Sequence, residues 1–518
     1  MLFSDALKTA KPSPVSTLIE YRICVLWFFA IFLIYLSFSP MVIAGMGYMG
    51  ENLQAAEQVT SYILSWINTA DSQSSINWPR HGAVEMFFEV PFLLVQRMLF
   101  GSNAFWADRV MALQPVLLTA LISTIILRWS RRLTGNLKTS IAVALTATFA
   151  TMLWPYAYIG LETTQSLFLL LAGFVGLNHK KLPTWPRTLA LGLIAGIAAS
   201  TKSNGFFLLP AIGFLVVCFF WRNWDDFEAV WPALKNEWRK TVCLAVIILA
   251  FYWVGSLSRA AYWDQHGSLL AYVFRNVLIE SPLTFLMNLW SQFFSLNKGL
   301  VFFAPLAAVG LFTIRKTFRV APQLAFFSLL VLGGSACSLS LLIPWQDEVW
   351  GPRYLHTVVA PLVVCVAASL RGIRWKQLDW EWKTLLPTAA ILGLAVSFLG
   401  SIFYYGSLHS AALASESSTL EHLLNDPRFN HPRFNLKLLQ SRIFSKDEQW
   451  PAPDRWWFEK PPDAPTQPTV NLRDYAQPQP LIFNSAQSPG MANGLKAALA
   501  LGSLLLAFSC VLARKQKE

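Results

Sequence analysis

The feature that most constrains this chain is a series of apolar runs, each close to the length that a helix needs to cross a bilayer. A spanning helix needs about 20 mostly apolar residues, and the sequence offers about a dozen such runs between short polar segments. Only 14% of the residues are charged, whereas soluble domains carry about 25%. The sequence therefore predicts an all-α polytopic membrane protein with about 12 transmembrane helices.

The apolar runs divide the chain into three parts. Residues 1–404 form a transmembrane domain, residues 405–491 form a small Pro- and Trp-rich region on the outer face, and residues 492–518 form a last span with a basic tail. Residues 83–100 are a further apolar helix outside the count, and Ser281 and Pro282 open a second interfacial helix. The predicted spans are 23–44, 108–127, 139–155, 162–178, 188–201, 205–221, 241–257, 299–314, 323–343, 354–370, 384–404 and 492–512.

The distribution of Lys and Arg gives the orientation. The net charge of +12 would suggest nucleic acid in a soluble chain, but here the basic residues cluster in the loops that this topology places on one side. By the positive-inside rule that side is cytoplasmic, and so are both termini. The basic residues in question are Lys8, Lys11, Arg22, Arg128, Arg131, Arg132, Lys138, Lys180, Lys181, Arg187, Arg222, Lys235, Arg239, Lys240, Arg315, Lys316, Arg319, Arg371, Arg374, Lys376, Lys383, Arg514, Lys515 and Lys517.

Several well-known sequence features are absent from this chain. None of the 6 cysteines lies in a long polar loop or forms a CxxC pair, so we expect neither a disulfide nor a zinc knuckle. No small-residue cleavage site follows the first apolar run, so Arg22–Ala44 is predicted to be a retained span. There is no Walker loop, GxGxxG, Ser-His-Asp or HExxH signature, which argues against nucleotide hydrolysis.

The first outer loop, Gly45–His81, is the most polar segment near the start of the chain. From Glu51 to Ile67 apolar residues recur at helical spacing, which predicts a short helix lying along the membrane surface. Glu51 points away from the apolar stripe. It is either a carboxylate that complements the helix dipole or a general base facing a cavity above the bilayer.

The helix predicted at 83–100 carries Glu85 and Glu89 four residues apart on one face. Like charges at this spacing repel each other, so the pair needs a cation such as Arg80, Arg97 or Arg109, or a divalent metal. The competing interpretation is two solvated carboxylates on the polar face of a surface helix. His81 and His266 are possible metal ligands, but scattered histidines do not form a metal-site pattern.

Three further ionisable residues lie at outer ends of predicted spans, where such residues are functional candidates. Glu162 opens the fourth span, either as a site residue or as a helix N-terminal carboxylate. Lys202 lies in a tight turn and either snorkels to the interface or binds an anion. Arg353, in the stretch PWQDEVWGPRYLHTVVAPL, either captures a phosphate or pairs with Asp347 or Glu348.

The order of these parts resembles the C-class glycosyltransferases, multi-span enzymes that take a sugar from a polyprenyl-phosphate carrier. Protein O-mannosyltransferases and bacterial aminoarabinose transferases are the members it looks most like. The resemblance covers most of residues 20–370 and is carried by short motifs. These are Glu51 after the first span, FFEVPFLL, the PFLLVQRMLFGSNAFWADRV run, RRLTG, the acidic start of the fourth span, the STK turn, KGLVFFAPL and WGPRYL.

The resemblance implies roles for individual residues. Glu51 would be the catalytic carboxylate, with Glu57 as the fallback, because many members have Asp or an Asp-Glu pair where this chain has Glu51 and Asn52. The acceptor cavity would be lined by Glu85, Glu89, Glu162, Arg80 and His81. Lys202 and Arg353, with Arg259 as a further cation, would hold the carrier phosphate. No cofactor is certain, but a divalent metal bound by Glu89 or His266 is possible, as in some relatives.

The resulting hypothesis is an inverting glycosyltransferase of the bacterial inner membrane with its active site on the periplasmic face. Its partners would be a polyprenyl-phosphate-linked sugar, membrane lipids and an acceptor that the sequence does not identify, with no nucleic acid. Two other classes stay open: a lipid-linked glycan flippase or transporter, and an O-antigen ligase or polymerase. The absence of a visible internal repeat weakens the transporter reading, and carboxylates in three outer loops favour the transferase over the ligase.

Overall fold

The computed structural model describes most of the chain. The described residues are 14–40, 56–60, 83–101, 109–160, 162–178, 183–202, 204–221, 228–266, 282–341, 350–373, 375–403, 407–408, 411, 430–444, 449–450, 470–476, 480 and 489–515.

The described part of the chain is almost entirely α-helical, with one small two-stranded sheet. The helices are α1 (Pro14–Phe38), α2 (Ala83–Phe100), α3 (Leu113–Thr134), α4 (Leu137–Phe149), α5 (Leu153–Ile159), α6 (Thr163–Leu177), α7 (Trp185–Ser200), α8 (Gly205–Phe220), α9 (Val230–Asn236), α10 (Trp238–His266), α11 (Pro282–Phe294), α12 (Leu300–Phe303), α13 (Pro305–Phe312), α14 (Ile314–Val320), α15 (Pro322–Leu341), α16 (His356–Ser369), α17 (Trp380–Ile402), α18 (His431–Phe444) and α19 (Pro489–Lys515). The antiparallel strands are β1 (Gln449–Trp450) and β2 (Val470–Asn471).

The chain is an all-α polytopic membrane protein, as the apolar runs predict. Every predicted span coincides with helix, although α1 begins and ends earlier than the predicted 23–44. In the described residues, 5 helices are long and apolar enough to cross a membrane, or 6 if α4 and α5, which meet at a 47° bend, form one broken span. The predicted number of about 12 is therefore not established. Span 299–314 is also interrupted, because helical structure stops at Ala304 between α12 and α13.

α16 lies at the centre of the bundle. Every residue from His356 to Ser369 is buried, and the helix packs against α3, α6, α13 and α15. Gly310 on α13 permits the closest approach, since a Cβ there would lie 2.2 Å from the Leu362 carbonyl oxygen. Helices that touch neighbours on all sides gain stability from close packing, because lipid supplies no hydrophobic driving force between them.

The two ends of the bundle differ in chemistry. Arg131 pairs with Glu20 at 3.2 Å, Arg132 donates to the carbonyl of Asn178 at the C-terminal end of α6, and Lys240 donates to the Pro183 carbonyl. These contacts join segments that the positive-inside rule assigns to the cytoplasm. Glu162 lies at the other end of α6, so the basic loops and the candidate site occupy opposite ends of that helix.

A small cluster forms around α18, beyond the end of α17. Phe434 and Leu438 of α18 are fully buried with Phe403, Trp450 and Leu472, and Asn435 donates to the Leu399 carbonyl of α17 at 3.0 Å. α18 has 14 residues although it lies in the proline-rich part of the chain. It forms because its sequence, from His431 to Phe444, contains a proline only in the first turn, where proline is tolerated.

Candidate functional site

Glu162 is the most unusual described residue in its backbone and its environment. It is the only non-glycine residue with a positive φ, at 61°, among the described residues. A left-handed conformation costs a non-glycine residue about 1–2 kcal/mol. Gly160, at φ 76°, ends α5 two residues earlier. Glu162 is a fully buried carboxylate at the N-terminus of α6, and backbone strain of this kind is typical of functional sites.

The Glu162 carboxylate binds two cations, one on each oxygen. Lys202 Nζ lies 2.5 Å from Oε2, and Arg353 Nε lies 2.8 Å from Oε1. The Glu162 side chain is 0% exposed, Lys202 3% and Arg353 9%. Lys202 therefore does not snorkel to the interface, and Arg353 has a carboxylate partner other than Asp347 or Glu348. We call Glu162, Lys202 and Arg353 the triad.

The triad forms because three helix junctions meet at one end of the bundle. Lys202 follows the end of α7, and its carbonyl accepts from the Gly205 amide at 3.0 Å as α8 begins. Only glycine fits at 205, because a Cβ would lie 1.9 Å from the Ala199 carbonyl oxygen. Arg353 opens a 3-10 turn that leads into α16. Two cations converging on one oxyanion form a geometry that suits carboxylate or phosphate.

Arg259 lies on α10 next to this junction. Its guanidinium donates to the Ser200 carbonyl at 3.0 Å and to Ser256 Oγ at 3.1 Å. Because Ser200 is two residues before Lys202, Arg259 supports the turn that presents Lys202. The side chain is 6% exposed, so it adds another buried cation near the triad.

Glu89 is buried, at 2% exposure, on the inner face of α2. That face packs through Met86, Val90 and Leu93 against residues 56–60 and Met111, and Glu57 is half-buried in the same region. The opposite face of α2 exposes apolar side chains such as Phe87 and Met98. The interpretation of Glu89 as a solvated surface carboxylate is therefore wrong, because the exposed face of this helix is apolar and suits lipid.

Several predicted site residues lie wholly or partly outside the described residues. Glu51, Arg80 and His81 lie outside the described residues, as do Asp347 and Glu348. Glu85 and His266 belong to α2 and α10, but their side chains are outside the described set as well. Among the residues described, no group of three His, Cys, Asp or Glu side chains could hold a metal ion. The metal site therefore stays a prediction.

A polar layer that the sequence analysis did not anticipate lies directly behind the triad. Ser166 Oγ is 2.6 Å from His356 Nδ1, and Gln165 Nε2 donates to Asn204 Oδ1 at 3.0 Å. All four side chains are buried. The sequence signal that could have indicated this layer is spacing, because Ser166 and His356 each follow a triad residue by one helical turn.

A second buried polar group lies where α18 meets the bundle. Lys298, just before α12, is 2% exposed and His431 is 4% exposed. The His431 ring meets Trp350 edge to face, with centroids 5.7 Å apart. Burial, reinforced by the charge of Lys298, lowers the pKa of His431 well below its usual value, so this histidine is neutral near pH 7.

Comparison with known proteins finds a likeness among solved structures. No protein-family model matches the chain, and no curated protein matches it in sequence. Among solved structures, the chain is similar to the crystal structure of ArnT from Cupriavidus metallidurans in the apo state, with 14% sequence identity and a TM-score of 0.41 over 96% of this chain and 75% of that one. This likeness assigns no role to an individual residue of the chain.

Proposed function

We propose that this protein is an integral-membrane glycosyltransferase that uses a polyprenyl-phosphate-linked sugar. The observation that carries the proposal is the triad, in which Lys202 and Arg353 already hold the two oxygens of one buried oxyanion. A phosphodiester offers two non-bridging oxygens in a similar arrangement, and a guanidinium with an ammonium is a suitable pair to bind them. Arg259 adds positive charge beside Lys202.

The position of the triad supports a lipid-linked anion over a soluble one. Lys202 and Arg353 lie at the ends of apolar helices, and a lipid-linked anion bound there can extend its chain along the apolar surface of the bundle. α15 packs against both the Arg353 turn and α11. The other side of α11 exposes Leu286, Met287 and Trp290, an apolar surface along which a prenyl chain can lie.

The chemistry follows from a bound donor. An acceptor hydroxyl or amine loses its proton to Glu51, attacks the anomeric carbon, and the bond from that carbon to the phosphate oxygen breaks with inversion. The leaving polyprenyl phosphate gains negative charge, which Lys202 and Arg353 stabilise. The assignment of Glu51 as the base rests on the resemblance to the C class, and Glu57 is the alternative base. Glu89, buried on α2, is the described carboxylate available to line the acceptor side.

The test is a transfer assay with labelled polyprenyl-phosphate sugars in proteoliposomes. We expect sugar transfer by the wild type, a loss of at least about a hundredfold in Glu51→Gln, as for a missing general base, and weaker donor binding in Lys202→Ala and Arg353→Ala. Lys240→Ala is the matched control, because Lys240 pairs with Glu237 away from the triad.

Each outcome decides one part of the proposal. Full activity of Glu51→Gln would remove Glu51 as the base, and unchanged donor affinity in both cation variants would remove the phosphate site. Movement of the labelled lipid across the bilayer without sugar transfer would instead identify a flippase. A panel of donors with different sugars identifies the substrate if transfer is seen.

A further inference from the structure

A second contact joins the two segments that carry Glu162 and Arg353. Ser166 lies one turn into α6 from Glu162, and its amide donates to the Glu162 carbonyl at 2.9 Å. His356, three residues after Arg353, is the first residue of α16. Because Ser166 Oγ and His356 Nδ1 are 2.6 Å apart, the Glu162–Arg353 contact and the Ser166–His356 contact are successive connections between α6 and the start of α16.

His356 is held from a second direction by Tyr156. The two rings are stacked, with centroids 4.7 Å apart and planes at 24°, and both side chains are fully buried. The Tyr156 hydroxyl donates to the Trp350 carbonyl at 2.9 Å. Tyr156 therefore contacts the chain on both sides of Arg353, three residues before it and three residues after it.

The short segment between these contacts has little freedom. Gly351 has φ +62° and packs on Phe303 so closely that a Cβ would lie 2.6 Å from that ring. Pro352 fixes its own φ, and the Arg353 amide donates to the Gly351 carbonyl at 3.0 Å. The position of Arg353 is thus set by Trp350 before it and His356 after it.

Packing alone does not explain a histidine at position 356. Its Nε2 has no hydrogen-bond partner in the described part of the chain, and a buried polar atom without a partner costs about 1–3 kcal/mol. An apolar side chain would fill the same space without that cost. What the histidine provides is a directional bond to Ser166, and buried polar pairs of this kind are best known for fixing the register of packed helices.

We propose that His356, held by Ser166 and Tyr156, is a positioning residue that sets Arg353 for the donor phosphate. The inference rests on the proposed function of the triad. In this role His356 acts through Arg353 and does not itself bind the donor. It acts by keeping the start of α16 in register with α6, so that Arg353 and Lys202 face the same anion.

The sharpest test compares two amide replacements of His356. The side-chain amide of Asn occupies the place of Nδ1 and can keep the bond to Ser166, whereas the amide of Gln reaches toward Nε2. We expect His356→Gln and Ser166→Ala to raise KM for the donor about tenfold, with kcat and the acceptor KM changed much less, while His356→Asn stays within about threefold of the wild type. Equal effects of Asn and Gln would overturn the proposal.

A double-mutant cycle tests whether the effect passes through Arg353. If it does, Ser166→Ala changes donor KM by less than about twofold once Arg353→Ala is present, since coupled residues are not additive. Additive effects would contradict the inference. Ser328→Ala is the matched control, because Ser328 accepts from Cys365 deeper on α16, at 3.3 Å, and should leave donor KM within about twofold. Tyr156→Phe keeps the stacked ring and removes the hydrogen bond to the Trp350 carbonyl. It replaces the other variants in the same donor KM measurement if they do not fold.

A binding measurement separates this inference from the proposed function. Polyprenyl monophosphate without sugar is added to the detergent-solubilised protein, and ligand affinity is read from the rise in thermal midpoint. If the wild type binds this lipid but transfers no sugar, the glycosyltransferase proposal fails. The positioning role then stands only if His356→Gln weakens lipid binding and His356→Asn does not, and it fails if both bind like the wild type.

Discussion

The long helices at the periphery and the short helices at the centre of this bundle share an apolar composition but differ in what they contact. α19 and α10 are long enough to span a membrane, yet only 17% and 22% of their most apolar windows are buried. α16 is shorter, and every residue from His356 to Ser369 is buried. The peripheral helices face lipid, whereas the central helices are short and have Glu162, Lys202 and Arg353 at their ends.

This difference relates the length of a helix to the position of the triad. A helix facing lipid must satisfy its backbone internally along its whole apolar length. A central helix can stop short, because neighbouring helices enclose its polar end and satisfy it. The triad therefore lies at the ends of short helices, and substitutions should have large effects at the centre and small ones at the periphery.

The largest effect is expected from Glu162→Gln, which removes the carboxylate that Lys202 and Arg353 both contact. Losing one member of a buried ionic group costs about 3–5 kcal/mol. The measurement is thermal unfolding in detergent, followed by tryptophan fluorescence. Glu20→Gln is the control: its contact with Arg131 is partly exposed at the basic end, so it should cost less than about 1 kcal/mol. Similar shifts in both variants would mean that the triad is not a tightly coupled group.

A smaller contrast is expected between two leucines. Leu362 of α16 is 0% exposed, and Leu362→Ala should cost about 2–5 kcal/mol through the cavity it leaves. Leu504 of α19 is 67% exposed, and Leu504→Ala should fall within about 0.5 kcal/mol of the wild type. The same unfolding assay measures both. A large effect at Leu504 would show that α19 has a packing partner on its exposed face.

Two helix glycines sharpen the comparison further. At Gly310 a Cβ would meet the Leu362 carbonyl at 2.2 Å, whereas at Gly333 nothing lies within 4 Å. Gly310→Ala should therefore cost about 1–3 kcal/mol by forcing α13 away from α16. Gly333→Ala should be neutral or stabilising by up to about 1 kcal/mol, because alanine favours a helix over glycine. Stabilisation by both substitutions would contradict the close approach at the centre.

The sequence was sufficient for the apolar helices but only partly for the site. The predicted spans coincide with helices of the structure, because the bilayer dictates the length of an apolar run. The basic loops identify one end of the bundle. Glu162, Lys202 and Arg353 are recognisable as ionisable residues at span ends. Their contacts are not, because Glu162 and Arg353 are 191 residues apart and no local pattern pairs them. The same applies to Ser166 and His356, 190 residues apart.

α18 shows a different reason for a missed element. Its helix contributes Phe434 and Leu438 to a cluster completed by Trp450 and Leu472 from other segments. The proline frequency over residues 425–489 does not predict α18, because the proline of this helix lies at its start. The stabilising contacts come from residues distant in sequence, so composition alone does not reveal them.

The smallest expected effect is a pH dependence at His431, where α18 meets the bundle. Burial and Lys298 lower the pKa of His431 well below its usual value, while the unfolded chain has a histidine pKa of about 6.5. As pH falls below about 6.5, the unfolded state binds a proton that the folded state does not, so stability is lost. His431→Phe keeps a ring against Trp350 and removes this contribution. We expect the variant to lose about 1 kcal/mol less than the wild type between pH 7 and 5.5, measured as thermal midpoints at each pH. Parallel pH profiles for the two proteins would show that His431 stays accessible to protons in the folded state, and α18 would then be held less tightly than the helices around α16.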